Sequence, residues 1–103
     1  VRALGSALGG FLAGTFDLKP PNDLYLNGKK VCGILSEVSR QGGTVHRMVI
    51  GVGLNVNQRQ FPEYLRHPAT SLAIESGCTW NRERLLAHLV DALHPCFETL
   101  DAS

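Results

Sequence analysis

Apolar residues at the start of the chain recur at the three- and four-residue spacing that lines one face of an α-helix. They are Val1, Leu4, Leu8, Phe11 and Leu12. This spacing predicts an amphipathic helix that packs on a sheet, and Gly14 is placed to end it. A signal peptide would show a similar apolar stretch, but the helical periodicity favours the packed helix. Because the chain begins with Val in the middle of this pattern, we expect it to be a piece of a longer protein.

A tight hairpin is predicted over residues 18–35, the stretch LKPPNDLYLNGKKVCGIL. Pro20 and Pro21 fix φ and remove backbone donors, which makes a polar elbow before the first strand. Asn27 and Gly28 favour a two-residue type I′ loop, since both positions of that loop need positive φ. The resulting register pairs Leu26 with Lys29, Leu24 with Val31, and Asn22 with Gly33.

Two further strands are predicted from the periodicity that follows the hairpin loop. A strand covers residues 30–39, and a polar turn at 40–43 leads into a third strand that starts at Thr44. The later half of the third strand alternates cleanly between an apolar face and a face of glycines with one amide. The apolar face carries Ile50, Val52, Leu54 and Val56, and the other carries Gly51, Gly53 and Asn55. The glycine face is bare backbone, which lets another molecule approach closely.

The region after the third strand shows a weaker pattern. Residues 57–68 contain two prolines and are typical of a loop, with one helical turn expected at 63–66. Residues 69–76 fit either a short strand or a helical turn, and Gly77 ends that segment. The sequence does not decide between those two structures.

A final helix is predicted from a long apolar face that begins after Asn81, a suitable N-cap. Pro95 is expected to kink this helix or to end it near His94. The order of elements is helix, three-stranded antiparallel meander, loop and helix. This order predicts one α+β domain over residues 1–103, in which the meander packs against helices.

Composition and charge exclude several classes of protein. The net charge is +1 and the ten basic residues are scattered, so no nucleic-acid-binding patch is predicted. The chain is not apolar enough to span a membrane. Three widely spaced cysteines fit free thiols in a reducing compartment, so a cytoplasmic protein is expected. The four histidines lack zinc-ligand spacing, and no metal site is predicted.

One group of residues points to ligand binding. The predicted hairpin brings Lys19, Asn22 and Asp23 beside Gly33, next to the glycine face of the third strand. This arrangement would form a glycine-floored pocket, where a planar ligand lies on backbone and a carboxylate or phosphate meets the lysine. A surface lysine beside a tight sheet explains the same residues. The residues alone leave both interpretations open.

Two ordered motifs in this region resemble the catalytic domain of biotin protein ligases. The stretch KPPNDLYLNGKKVCGILSE is similar to the family signature, usually Lys-Trp-Pro-Asn-Asp followed by a hairpin and Ala-Gly-Ile-Leu. The stretch GVGLNV resembles the family strand Gly-[Ile/Val]-Gly-[Ile/Leu]-Asn-Val, and ATSLAIESG matches the end of that domain. The resemblance covers nearly the whole chain. It implies the second half of a catalytic domain with a class-II-synthetase-like fold.

The resemblance implies a two-step ligase. The biotin carboxylate attacks the α-phosphate of ATP to give biotinyl-5′-adenylate, and a lysine of a biotin carboxyl carrier protein then attacks that anhydride. Mg²⁺ would accompany ATP. The resemblance assigns catalysis to Lys19, at the carboxylate and α-phosphate, and to Asp23, which holds that lysine or the attacking amine. It assigns ligand binding to Asn22, Gly33, Gly51, Gly53 and Asn55.

The chain also departs from the family pattern. Pro20 stands where the family usually has Trp, which removes an aromatic wall from the pocket. The family's Gly/Arg-rich loop belongs upstream of Val1, so this chain alone is expected to be inactive without an N-terminal half or a partner chain. The alternative is a non-catalytic ligase-like domain that binds a small acyl ligand or self-associates through sheet edges. Lipoate ligases share the fold, but the two motifs together favour biotin.

Overall fold

The computed structural model describes residues 2–10 and 12–102, with side chains up to residue 95. Its elements in chain order are α1 (Arg2–Gly9), β1 (Phe16–Lys19), β2 (Asp23–Leu26), β3 (Lys29–Gln41), β4 (Thr44–Leu54), α2 (Leu72–Ser76) and α3 (Arg82–Ala102). The strands form one antiparallel sheet in the order β1-β2-β3-β4, which confirms the predicted α+β meander. The prediction of only three strands was wrong. A four-residue strand beside two prolines is too short to show an alternation.

Both long hairpins close through two-residue loops with positive φ. Asn27 and Gly28 have φ of 52° and 82°, which confirms the predicted type I′ loop between β2 and β3. Gly42 and Gly43 have φ of 60° and 84° and join β3 to β4. The predicted polar turn at 40–43 is therefore shorter than expected, and its first two residues belong to β3, which extends to Gln41.

A β-bulge changes the predicted register between β2 and β3. The shift falls between Leu24 and Tyr25 and adds Val31 as an extra residue on β3. Val31 and Cys32 are consecutive and both belong to the core, since the bulge interrupts the alternation of faces between them. The observed pairs are Leu24 with Cys32 and Asp23 with Gly33, in place of the predicted Leu24 with Val31 and Asn22 with Gly33.

The hydrophobic core gathers residues from the three helices, from β2 and from the start of β3. Its buried members are Leu4, Leu8, Leu12, Leu24, Leu26, Val31, Cys32, Leu72, Leu85 and Leu89. The N-terminal members confirm the predicted helical face, of which Val1 and Phe11 lie outside the described residues. The helix ends at Gly9 rather than at Gly14, because two consecutive glycines, Gly9 and Gly10, weaken it there.

The apolar face of β4 packs on this core only at its C-terminal end. Leu54 and Val56 contact the core, whereas Ile50 and Val52 are 38% and 46% exposed. Every residue from 35 to 53 is exposed, on both faces of the long β3–β4 hairpin. Ile50 and Val52 share a face with Leu54 as predicted, but they stay exposed because no described element covers that part of the sheet.

The segment before α2 combines the two structures that the sequence left open. Ala69 forms a parallel bridge with Lys30, and α2 begins three residues later. Gly77, with φ of 77°, ends α2 as predicted. Where the sequence predicts one helical turn at 63–66, the chain forms a hydrogen-bonded turn rather than a helix. In this turn the amide of Leu65 donates to the carbonyl of Pro62 at 3.4 Å.

The final helix begins where the sequence predicts and ends later. The Asn81 side-chain oxygen accepts a hydrogen bond from the amide of Arg84 at 3.0 Å, which confirms the N-cap. The helix continues past Pro95 to Ala102, so of the two predicted effects of Pro95 an end near His94 is wrong and a kink stays a prediction. The apolar residues that pack on the core from this helix are Leu85, Leu89 and Leu93, all before Pro95. Within residues 2–10 and 12–102, no helix is long and apolar enough to cross a membrane.

Candidate ligand-binding site

Four of the predicted site residues lie side by side across the sheet. In strand order they are Lys19, Asp23, Gly33 and Gly53, and each pairs with the next. We call this set the cross-strand row. Residues directly opposite one another in antiparallel strands share a face, so a cation, an anion and two bare backbone positions stand in line. The bulge in β3 brings Asp23 into this row, because in the regular register Asn22 would pair with Gly33.

The two glycines of β4 leave the backbone exposed, although nothing in the described part of the chain requires glycine at these positions. Neither Gly51 nor Gly53 has φ in the left-handed region. A Cβ built on Gly53 would lie 3.6 Å from the Gly33 carbonyl oxygen, and one on Gly51 would lie 3.7 Å from the Leu35 carbonyl oxygen. These are ordinary contact distances. Neither backbone strain nor internal packing therefore requires glycine, and the bare surface is available to another molecule.

An open depression of about 510 Å³ lies over this part of the sheet. Its volume falls within the range of about 300–1,000 Å³ that is usual for small-molecule sites. It brings together four of the predicted residues and leaves Lys19, Asn22 and Asn55 outside its lining. The lining residues are Asp23, Lys30, Gly33, Ile34, Leu35, Gly51, Val52 and Gly53.

Lys30 is a charged residue of the depression that the sequence prediction missed. Its Nζ lies 3.3 Å from Oδ1 of Asp23, and the two side chains are 39% and 28% exposed. A pair this open to water contributes little to the free energy of unfolding. A signal for Lys30 was present in the sequence, because the loop at Asn27 and Gly28 places Lys30 opposite Tyr25 and so on the face of Asp23.

Lys19 lies at the β1 end of the cross-strand row. Its Nζ is 4.3 Å from the centroid of the Tyr25 ring, a cation–π contact, and Tyr25 itself is buried. Such a contact at an exposed site is worth about 0.5–1 kcal/mol. Lys19 is exposed and remains accessible to a ligand, while Tyr25 provides aromatic surface next to it. The turn that follows contains a cis peptide between Pro20 and Pro21.

The two predicted asparagines have backbone contacts rather than a place in the depression. The carbonyl of Asn22 accepts a hydrogen bond from the amide of Ile34 at 3.0 Å. The side-chain Nδ2 of Asn55 donates to the carbonyl of Thr70 at 3.1 Å, and the Asn55 carbonyl accepts from the amide of Leu72 at 3.1 Å. Asn55 thus holds the start of α2 against the end of β4. A ligand contact for either asparagine stays a prediction.

A hydrogen-bond network connects the β2–β3 loop to the backbone of Lys30. Asn27 accepts from the Thr15 amide at 2.9 Å and donates to Glu75 Oε1 at 2.8 Å, and the Thr70 hydroxyl donates to Glu75 Oε2 at 2.5 Å. The hydrogen bond from Thr70 lowers the pKa of the Glu75 carboxyl most, and the bond from Asn27 lowers it further. The Thr70 amide then donates to the Lys30 carbonyl at 2.8 Å. The network fixes the edge of the depression.

Cys32 lies behind the depression, on the core side of β3. Burial raises the pKa of its thiol to about 11, so the thiol stays protonated and unreactive at neutral pH. No group of three or more His, Cys, Asp or Glu side chains comes together in the described part of the chain. The chemistry of the surface therefore depends on two lysines, one carboxylate and bare backbone.

Curated relatives of the chain are named bifunctional ligase/repressor BirA or biotin–[acetyl-CoA-carboxylase] ligase. The bifunctional ligase/repressor BirA of Bacillus spizizenii is 42% identical over 84 residues, which is 80% of this chain and 25% of that protein. The Escherichia coli protein of the same name is 33% identical over 84 residues, 82% of this chain and 26% of its own length. The chain therefore spans about a quarter of the length of these relatives.

Solved structures share the fold. The apo biotin protein ligase of Aquifex aeolicus has a TM-score of 0.80 at 31% identity, over 99% of this chain and 44% of that one. The complex of the A. aeolicus ligase with biotin and ATP has a TM-score of 0.74 at 34% identity, over 91% and 38% of the two chains. A family model described as Biotin/lipoate A/B protein ligase family matches residues 1–55, which include the whole cross-strand row. Motifs, fold and family model agree, and the chain belongs to the biotin/lipoate A/B protein ligase family.

Proposed function

We propose that this chain forms the acyl-adenylate-binding part of a biotin protein ligase. The full-length protein would activate biotin with ATP and transfer the biotinyl group to a lysine of a biotin carboxyl carrier protein. The observation that carries the proposal is the cross-strand row beside an open, glycine-floored depression. The related ligase of A. aeolicus has been solved with biotin and ATP, which supports these two ligands.

In the first step, an oxygen of the biotin carboxylate attacks the α-phosphorus of ATP. The bond from that phosphorus to the bridging oxygen of pyrophosphate breaks, and pyrophosphate leaves. Negative charge is concentrated on the carboxylate and α-phosphate oxygens in the transition state, and a fixed ammonium group stabilises it there. Lys19 is exposed at the end of the cross-strand row, and it supplies that charge in this proposal.

In the second step, the amine of the carrier lysine attacks the acyl carbon of biotinyl-adenylate, and AMP leaves. Asp23 is the carboxylate of the cross-strand row, directly opposite Lys19 on β1. In this proposal Asp23 orients Lys19 or the incoming amine. The bare backbone at Gly33 and Gly53 allows a planar part of the ligand to lie flat on the sheet.

Magnesium would enter this reaction with ATP. The described residues contain no group of three or more His, Cys, Asp or Glu side chains that could enclose a cation. Mg²⁺ commonly keeps several waters and binds through substrate phosphates. We therefore propose that Mg²⁺ binds through the phosphates of the nucleotide, rather than through a group of side chains among the described residues.

The test is pyrophosphate release by the full-length protein in the presence of biotin and ATP. We expect Lys19→Ala to slow release at least about 100-fold, the effect of losing one electrostatic stabiliser. Lys29→Ala is the matched control, because Lys29 is exposed at the hairpin loop, pairs with Leu26 and does not line the depression. Unchanged release in Lys19→Ala would remove Lys19 from the mechanism.

Two other results would change the proposal itself. Release that depends on lipoate rather than biotin would assign a different acyl group. Binding of biotinyl-adenylate without any turnover by the wild-type protein would favour a non-catalytic ligase-like domain.

A further inference from the structure

We infer that Lys30 is a second ligand-binding lysine, which contacts the phosphate of the acyl-adenylate intermediate. The inference rests on the proposed function and adds a residue to it. Lys30 lines the depression, and its Nζ would lie 3.6 Å from a Cβ built on Gly33. The ammonium group therefore stands beside the space that glycine leaves open at position 33.

The Lys30 ammonium has hydrogen-bonding capacity beyond its contact with Asp23. An ammonium group carries three donors, and the ion pair with Asp23 Oδ1, 3.3 Å away, engages at most one of them. The side chain is 39% exposed and lines the depression, so donors of the ammonium group remain accessible to a ligand there. A phosphate oxygen above Gly33 could accept from Lys30 without disrupting the pair with Asp23, and Asp23 would then orient the ammonium group.

The net charge of the three charged residues, Lys19, Asp23 and Lys30, matches an intermediate that carries a single negative charge. Lys19 and Asp23 together have no net formal charge, and Lys30 brings the three residues to +1. An acyl-adenylate carries one negative charge on its phosphate, whereas ATP carries several. The cluster therefore complements the intermediate after pyrophosphate has left, and Lys30 provides the uncompensated positive charge.

The backbone of Lys30 is held on the side away from β2. Its amide donates to the carbonyl of Pro68 at 2.9 Å, and its carbonyl accepts from the amide of Thr70 at 2.8 Å. On the other side, Lys30 pairs with Tyr25 of β2. The held backbone and the ion pair with Asp23 together keep the ammonium group at the depression before a ligand arrives, which is the preorganisation that a binding site needs.

The experiment compares two probes by calorimetric titration of the full-length protein. Biotinol-5′-adenylate is a stable phosphodiester with one negative charge, and a biotin–adenosine conjugate with a triazole in place of the phosphate has none. We expect Lys30→Ala to weaken binding of biotinol-5′-adenylate about 10-fold, equivalent to about 1.4 kcal/mol, and to leave binding of the triazole conjugate unchanged. Lys30→Arg should restore most of the loss. Lys29→Ala should change neither affinity.

Lys30→Gln, which keeps most of the side-chain length, is the second variant, with thermal unfolding as the measure of folding. Equal weakening of both probes in Lys30→Gln would mean that Lys30 supports the fold rather than the phosphate, and would overturn the inference. Unchanged binding of the charged probe would also overturn it. If the wild-type protein binds neither probe, the proposed function itself fails, which is a distinct result.

Discussion

The substitution Gly53→Ala should stabilise the sheet while it weakens ligand binding. Gly53 lies inside β4 without a left-handed φ. A Cβ at this position would lie 3.6 Å from the Gly33 carbonyl oxygen, an ordinary contact, so β3 need not move. Glycine inside a strand is less stable than alanine by roughly 0.5–1 kcal/mol, and we expect the free energy of unfolding to rise by about that amount.

The same methyl group would occupy the floor of the depression. A ligand in contact with the bare backbone places its atoms about 3.5–4.0 Å from the backbone atoms, where the new carbon would overlap them. Overpacking of this kind typically costs 1–3 kcal/mol, which corresponds to an affinity loss of about 5- to 150-fold. Gly53→Val adds two more carbons, suits a strand and should abolish binding while the protein stays soluble.

Two measurements on the full-length protein test this prediction: urea unfolding, and calorimetric titration with biotinol-5′-adenylate. Gly9→Ala is the control, because Gly9 closes α1 and nothing lies within 4 Å of a Cβ built there. It should also raise stability, by at most about 1 kcal/mol, and leave the affinity unchanged. Full affinity in a stabilised Gly53→Ala protein would show that the depression is not the ligand floor. A loss of stability would refute the claim that the sheet has room for the methyl group.

Two further predictions concern groups with shifted pKa. The pKa of Glu75 is lowered in the fold, so its stabilising contribution is present above the unfolded value of 4.5 and is lost as pH falls through the lower folded value. The difference in melting temperature between wild type and Glu75→Gln should therefore narrow below about pH 4.5, and a constant difference would contradict this. Iodoacetamide at pH 8 should modify exposed Cys78 but not buried Cys32, whose thiol has a pKa of about 11. Peptide mapping would show which cysteine is modified, and unfolding in urea should make Cys32 reactive as well. Rapid modification of Cys32 in the folded protein would refute its burial.

The sequence predicted much of the candidate site, because glycines that alternate with apolar residues mark a bare strand face. The structure places Gly51 and Gly53 on the depression, as that alternation implies. Asn55 belongs to the same alternation, yet its amide donates to Thr70, fifteen residues further along the chain. Strand periodicity cannot show such a partner. Lys30 was missed although the Asn27–Gly28 loop places it on the face of Asp23; only the three-dimensional structure shows its ion pair with Asp23.

Local sequence was sufficient to predict the Asn27–Gly28 loop and the N-cap at Asn81. The Asn27–Gly28 loop depends on the φ values that two adjacent residues tolerate, and the cap at Asn81 needs one hydrogen bond three residues away. Both follow from a few consecutive residues, so the sequence was sufficient to predict them.

Only the tertiary structure decided the register and the extent of the longer elements. Burial of both Val31 and Cys32 accompanies the bulge that places Asp23 rather than Asn22 opposite Gly33. β1 exists because it pairs with β2, and α3, which packs on the core through Leu85, Leu89 and Leu93, runs on through Pro95 to Ala102. These outcomes depend on contacts between residues that are distant in sequence, and their free energies are not contained in any short segment of the chain.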